Sequence, residues 1–112
     1  MIMFEQFTGD LRGLPTSKNH LNFRWLDPDC RILFSVCQMG EAASCHFCSD
    51  KKGLRRLREA INQFVEFVFV LFDWCKMVIA KVVRKSVGKL LLGCGFLRIC
   101  SVDGVDIFGR WL

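Results

Sequence analysis

The chain has 112 residues, a net charge of +5, and a composition that is 52% hydrophobic and 12% aromatic. This length allows one domain with one modest core, and the apolar fraction excludes a disordered chain. Eleven phenylalanines and no tyrosine leave it without a phenolic acid–base group. Seven cysteines, behind a start that lacks a basic and apolar leader, predict reduced thiols in a cytoplasmic protein rather than a disulfide framework.

The N-terminal segment differs from the rest of the chain. Residues 1–19 show little periodicity and contain Gly9, Gly13, Pro15, Thr16 and Ser17, which predicts an extended N-terminal arm. Residues 20–112 contain no repeat, linker or low-complexity tract, and we expect them to form a single domain.

Three strands are expected at the start of this domain. Apolar and polar residues alternate over 20–25, which is the period of a half-buried strand. The turn Asp27-Pro28-Asp29 separates this segment from a second predicted strand, Arg31 to Gln38. A short third strand is expected near Ser44–Cys48.

A long helix is the clearest element in the sequence. Ser49 and Asp50 are favourable N-cap residues. Behind them, over about 51–73, apolar residues recur at spacings of three and four, with charged and polar residues on the opposite side. The apolar stripe consists of Leu54, Leu57, Ile61, Phe64, Val65, Val68, Leu71 and Phe72.

The C-terminal third returns to strands. Met77–Val83 is apolar and rich in β-branched residues, as in a strand buried on both faces. Ser86 is expected to cap a two-turn helix. Phe96–Ser101 and Val105–Trp111 are predicted strands joined by an Asp103-Gly104 hairpin turn. The order predicts an α/β fold, a mixed sheet of about six strands with one long crossover helix and one short helix.

This element order is similar to that of the GNAT acetyltransferase superfamily from its second strand onward. The segment Cys45–Arg55 looks like the family's pyrophosphate-binding segment, and Ser86–Phe96 resembles its short helix ending in Gly-Phe. The resemblance implies a GNAT-like sheet that is truncated at its front. If the anion site functions and holds acetyl-CoA, the residues implied are Lys52, Gly53, Leu54 and Arg55.

Three departures from the family pattern argue against catalysis. The family's loop, Gln/Arg-x-x-Gly-x-Gly/Ala, lets phosphates approach backbone amides at a helix N-terminus, whereas here only Gly53 is present and Arg55 would crowd the approach. Leu91 stands where many members carry a tyrosine general acid, and it cannot donate a proton. The family's first strand and two following helices are not expected to fit within residues 1–19. We therefore predict no catalytic residue.

The functional hypothesis follows from a narrower resemblance. Trp74–Ala80 followed by the Ser86–Phe96 segment looks most like divergent GNAT-like proteins of tailed phages, some named head-assembly or internal virion proteins. This implies a non-enzymatic protein of the host cytoplasm or virion that acts through protein–protein contacts and needs no cofactor. The alternative is an N-acetyltransferase that uses acetyl-CoA.

A third hypothesis is an anionic partner held by two basic clusters. No aromatic residue is interleaved with either cluster, so nucleic acid is not the expected partner. The clusters are Lys51, Lys52, Arg55, Arg56 and Arg58, and Lys81, Arg84, Lys85 and Lys89.

The C-terminal end of the long helix is apolar almost all round, which predicts a protein partner or a second copy of the chain. The residues expected to make that contact are Phe67, Phe69, Val70 and Trp74. Alternatively, residues 1–19 fold back over them. Interrupting charges exclude a membrane span.

The segment Cys45-His46-Phe47-Cys48 contains one Cys-x2-Cys pair. It lies on a predicted strand, where alternation directs Cys45 and Cys48 to opposite faces, so we expect no metal site.

Overall fold

The computed structural model describes residues 3–9, 13–14 and 19–112, which form a mixed β-sheet with two helices and a short 3₁₀ segment. The strands are β1 (Phe4–Gln6), β2 (His20–Trp25), β3 (Ile32–Met39), β4 (Ala42–Ser49), β5 (Met77–Val82), β6 (Leu97–Val102) and β7 (Val105–Trp111). The helical elements are a 3₁₀ turn (Lys52–Arg56), α1 (Leu57–Leu71) and α2 (Lys85–Gly93).

The sheet has the order β1-β2-β3-β4-β5-β7-β6. Antiparallel pairs join all neighbouring strands except β4 and β5, which pair in parallel through Ala42–Ser44 and Met77–Ile79. The 3₁₀ turn and α1 form the crossover between these two strands. The predicted α/β class and crossover are therefore confirmed.

The sheet has seven strands where the sequence predicted about six, and the additional strand is β1. It lies within the expected arm and pairs with β2, with Phe4 opposite Trp25. The sequence pattern predicted no strand in this segment. A strand of three residues is too short to show a period. Residues 1–2, 10–12 and 15–18 of the expected arm lie outside the described residues.

The long helix is shorter than predicted. The expected helix over 51–73 is a 3₁₀ turn followed by fifteen α-helical residues. α2 begins at Lys85, and no side chain caps it, so the prediction that Ser86 is its N-cap was wrong. Within the described ranges, no helix is both long and apolar enough to cross a bilayer.

The turn between β6 and β7 is determined by its two central residues. Asp103 and Gly104 have φ values of 52° and 79°, the left-handed pair that a two-residue type I′ turn requires. The predicted hairpin between β6 and β7 is confirmed.

Both helices pack against the same face of the sheet. We call this the helix face; it carries Phe34, Ala43, Val78 and Phe108, which belong to one buried cluster with residues of α1 and α2. The opposite side is the outer face, which by strand alternation carries Leu33, Ser44, Ile79 and Gly109.

The centre of the core is a cluster of aromatic rings around Phe64 of α1. Its ring stacks on Phe34 of β3, with centroids 4.2 Å apart and 12° between the ring planes. Phe4 meets Phe64 edge-on at 5.3 Å and stacks on Phe67 at 4.9 Å. Because aromatic side chains bury large areas, these contacts fix how α1 lies on the sheet.

A polar network fixes the start of α1 to the end of β2. The Arg56 guanidinium lies 4.8 Å from the centre of the Trp25 ring and forms ion pairs with Asp27 and Glu59. The indole nitrogen of Trp25 donates a hydrogen bond of 2.8 Å to Oε1 of Gln63. The Arg56 side chain therefore stabilises the fold through these contacts.

Phe4→Ala should detach β1 from the core. Loss of a buried aromatic ring with three aromatic neighbours is expected to lower the free energy of unfolding by about 3 kcal/mol or more. Urea denaturation followed by far-UV circular dichroism measures this loss. Leu112→Ala, at a largely exposed position, is the control and should change stability little. Equal effects in the two variants would contradict the anchoring role of Phe4.

Candidate functional site

The parallel strands β4 and β5 separate part-way along their length. Their pairing ends at Ser44 and Ile79, although β4 continues to Ser49 and β5 to Val82. Beyond Ile79, β5 still pairs with β7. A crevice therefore opens between β4 and β5 on the side from which α1 and α2 start.

Apolar side chains fill this crevice. It retains a volume of only about 20 Å³, which is roughly the room that one water molecule requires. Its wall includes Leu91 of α2, which is buried. This is the position at which the family resemblance implies a tyrosine, and leucine cannot donate a proton. The crevice is lined by Phe34, Cys45, His46, Phe47, Ile61, Phe64, Val65, Val78, Ala80, Leu91 and Phe96.

The 3₁₀ turn after β4 contains the four residues predicted to hold a cofactor. Lys52, Leu54 and Arg55 are exposed, whereas Gly53 is buried. The Gly53 amide donates a hydrogen bond to the Asp50 carboxylate at 2.8 Å and lies 3.2 Å from the Asp50 carbonyl oxygen. The chain's own carboxylate thus takes the amide that an anion would need.

The space beside Gly53 is also filled from within the chain. A Cβ atom at this position would lie 2.3 Å from Oγ of Ser49 and 2.8 Å from Cγ1 of Ile32. A side chain is therefore excluded here by the protein's own packing. The glycine lets the backbone approach β3 and β4, and it does not open a surface toward a phosphate.

The charges around the turn are of both signs. A shallow depression of about 350 Å³ is lined by the cations Lys52, Arg55 and Arg56 together with the carboxylates Asp27 and Asp29. Carboxylates among the cations reduce the positive potential that an anion would experience. Cys30 completes the wall, and its pKa is raised first by burial and then by Asp27, so its thiol stays protonated at neutral pH.

Two cations that could have served an anion site are used at the end of α2. A Cβ atom at Gly93 would lie 2.6 Å from Nη2 of Arg58, so this guanidinium packs directly on the helix terminus. Nη1 of Arg110 donates to the Cys94 carbonyl and to Oδ1 of Asn62, both at 3.1 Å. Positive charge at a helix C-terminus is stabilising. The spacing of Arg58 and Arg110 in the sequence does not indicate that either side chain packs at the end of α2.

Solved structures with the same architecture are N-acetyltransferases. One is the spermidine N-acetyltransferase SpeG K23-Y30 chimera from Vibrio cholerae and hSSAT, with 14% identity and a TM-score of 0.70. The alignment covers 83% of this chain and 67% of that one. Another is the N-acetyltransferase PseH of Campylobacter jejuni, with 10% identity, a TM-score of 0.67, and coverage of 85% of this chain and 70% of that one. The chain has a GNAT-like fold.

The sequence itself gives no closer relationship. No protein-family model matches the chain, and no curated protein matches it. Identities of 10–14% show the fold alone, and the chain spans about two thirds of the length of these acetyltransferases.

The residues at the GNAT-like crevice do not fit acetyl-CoA in the manner that the family resemblance implies. The Gly53 amide is bonded to Asp50, and the crevice has room for about one water molecule. An extended thioester arm would have to displace several core side chains. The site presents cations to solvent, and its Gly53 amide is already bonded within the chain.

Cys45 and His46 are adjacent on β4, so their side chains lie on opposite faces of the sheet. Cys45 faces the helices and its pKa is raised well above the ordinary thiol value by burial, so it is a poor nucleophile. His46 lies on the outer face, where burial first and then His20 and Lys81 lower its pKa, so the imidazole is neutral at neutral pH. Cys48 pairs with Leu33 on that face, opposite to Cys45, as predicted. Within the described ranges, no three His, Cys, Asp or Glu residues could hold a metal ion.

The aromatic end of α1 is partly covered. Phe67 contacts Phe4 and Phe23, so part of the expected arm does fold back over it. Phe69 and Trp74 are half-buried against the core. Val70 remains 86% exposed. Of the four residues predicted to contact a partner, Val70 is therefore the most accessible.

Asp50→Ala tests whether the carboxylate acts as the cap of the 3₁₀ turn. Its removal should lower the free energy of unfolding by about 1 kcal/mol, as for other capping side chains. Asp50→Asn keeps an acceptor oxygen and should lose less, and Asp73→Ala, at an exposed position, should have almost no effect. Urea denaturation of the three variants measures the differences. Equal stability of Asp50→Ala and wild type would contradict the capping role.

Proposed function

We propose that this chain is a non-enzymatic GNAT-like protein that acts through protein–protein contacts. The observation that carries the proposal is the hydrogen bond from the Gly53 amide to the Asp50 carboxylate, because it blocks the backbone position at which the GNAT resemblance expects a phosphate. The filled crevice and the buried Leu91 support the same conclusion.

We further propose that the contacts serve phage virion assembly, or that the protein is an internal component of the virion. This step rests on the resemblance of Trp74–Ala80 and Ser86–Phe96 to divergent GNAT-like phage proteins. The proposed contact surface is the end of α1, where Val70 and Leu71 are exposed beside the half-buried Phe69 and Trp74. An exposed apolar end on a basic protein suits a protein partner that covers it.

A second candidate function is N-acetyl transfer, and one arrangement favours it. β4 and β5 separate after Ser44 and Ile79, and a neutral His46 lies on β4 just beyond that point. A neutral imidazole can accept a proton from an amine. This candidate requires the crevice to open.

Binding of acetyl-CoA separates the two functions. We expect millimolar acetyl-CoA to leave the melting temperature of the wild-type protein unchanged, because a ligand stabilises only a fold that binds it. Asp50→Ala is the matched variant, since it frees the Gly53 amide, and Asp73→Ala, at an exposed position beyond the far end of α1, is its control. Differential scanning fluorimetry measures the shift, with an active spermidine N-acetyltransferase as the positive control. A clear rise for the wild type would favour the enzyme, whereas a rise for Asp50→Ala alone would identify Asp50 as the block.

Val70→Lys tests the proposed contact surface. A charge at this exposed position should not alter folding, but it should reduce the amount of the chain that co-purifies with virions of a phage that encodes it. Asp73→Lys, also exposed and close in sequence, should leave that amount unchanged. Quantitative immunoblotting of purified particles provides the measurement. Absence of the wild-type chain from both virions and assembly intermediates would count against the virion role.

A further inference from the structure

The sheet has two edges of very different character. β1 forms one edge with three residues, of which Glu5 and Gln6 are exposed. β6 forms the other with six residues, all of them exposed. In the part of the chain that the structure describes, β6 pairs only with β7, so its outer backbone groups are available to another strand.

The side chains of β6 form an apolar strip on the outer face. Leu97 and Val102, which are 60% and 54% exposed, pair with Gly109 and Val105 of β7. A bulge between Arg98 and Cys100 adds one residue to the strand.

That extra residue, Ile99, also reaches the outer face. A Cβ atom at Gly109 would lie 2.7 Å from Cδ1 of Ile99, 3.1 Å from Sδ of Met77 and 3.4 Å from the Trp111 ring. Three apolar side chains therefore converge over the glycine. The strip on β6 continues without a break onto β5 and β7.

The usual protections of an edge strand are weak in β6. Proteins guard such edges with charged residues, proline or short length. β6 has six residues, contains no proline, and carries Arg98 as its single charge. Its bulge twists the strand but does not introduce a polar group on the outer face.

We propose that β6 pairs in an antiparallel manner with β6 of a second copy of this chain, around a two-fold axis between Ile99 and Cys100. In this register Leu97 lies opposite Val102 of the second copy, and Arg98 lies opposite Ser101. The pairing joins the two apolar strips into one continuous surface. A two-fold contact of this kind is closed, so it gives a dimer.

Charge complementarity favours a second copy as the occupant of this edge. Arg98 and Ser101 pair with Phe108 and Asp106 of β7, so both lie on the helix face. The Ser101 hydroxyl donates a hydrogen bond to the Asp106 carboxylate. Each Arg98 therefore faces a serine–aspartate pair of the other copy, and no like charges meet. Pairing with β1 instead would be limited to three residues and would not close.

A charge-exchange experiment tests both the dimer and its register. The wild-type chain should sediment as a dimer at micromolar concentrations. Leu97→Lys combined with Val102→Lys places lysine opposite lysine twice, and it should give a monomer. Leu97→Lys combined with Val102→Glu places lysine opposite glutamate and should restore the dimer. Sedimentation velocity measures the species, and circular dichroism checks that each variant is folded.

Val70→Lys is the control that separates this interface from the end of α1, and it should remain dimeric. A wild-type chain that stays monomeric at high micromolar concentration would overturn the proposal. So would a folded Lys–Glu variant that is as monomeric as the Lys–Lys variant, or a series of larger species that indicates pairing of β6 with β1. The inference goes beyond the proposed function and holds whether or not the chain binds acetyl-CoA.

Discussion

The stack of Phe64 on Phe34 is the contact on which the rest of the structure depends. It joins the crossover helix to the middle of the sheet, and the same Phe64 ring meets Phe4 and Phe23 from the two preceding strands. One side chain thus positions α1 against three strands. Once α1 lies there, the 3₁₀ turn before it must begin directly after β4, and Gly53 must pass close to Ser49 and Ile32.

The same close packing determines what the GNAT-like crevice contains. Where the strands part, the space between them is occupied by rings and aliphatic chains from the core. The amide at the start of the crossover is satisfied by a neighbouring carboxylate, which removes the cost of leaving a polar group unpaired. The amide and the crevice therefore serve the packing of the protein itself, although Leu54 of the turn is exposed, as are Val70 and the residues of β6.

Much of the fold could be predicted because its signals are local. Alternation revealed β2, spacings of three and four revealed α1, and Asp103-Gly104 gave the last hairpin. β1 was missed because its partners are remote: Phe4 is buried by α1, more than fifty residues away in sequence. Ser86 was assigned as a cap from residue type alone, and α2 starts at Lys85 without using it.

The candidate site was less predictable than the fold for a physical reason. The sequence indicates the segment around Gly53, its lack of further glycines, and Asp50 as a possible N-cap of the helix. The bond from the Gly53 amide to Asp50 is the one expected of such a cap, whereas the packing of Ser49 and Ile32 around Gly53 depends on the path of the chain between β4 and α1. The use of Arg58 and Arg110 at the end of α2 likewise depends on tertiary contacts, and no spacing rule links these residues.

The position of Phe4 has a consequence for the order of events during synthesis. The Phe4 ring leaves the ribosome well before two of its contacts, Phe64 and Phe67, which lie far downstream in the sequence. The antiparallel strands β2, β3 and β4 can pair before then, because their contacts are close in sequence. Until α1 emerges, a growing chain exposes these aromatic groups together, and this interval is when the nascent protein is most vulnerable to aggregation.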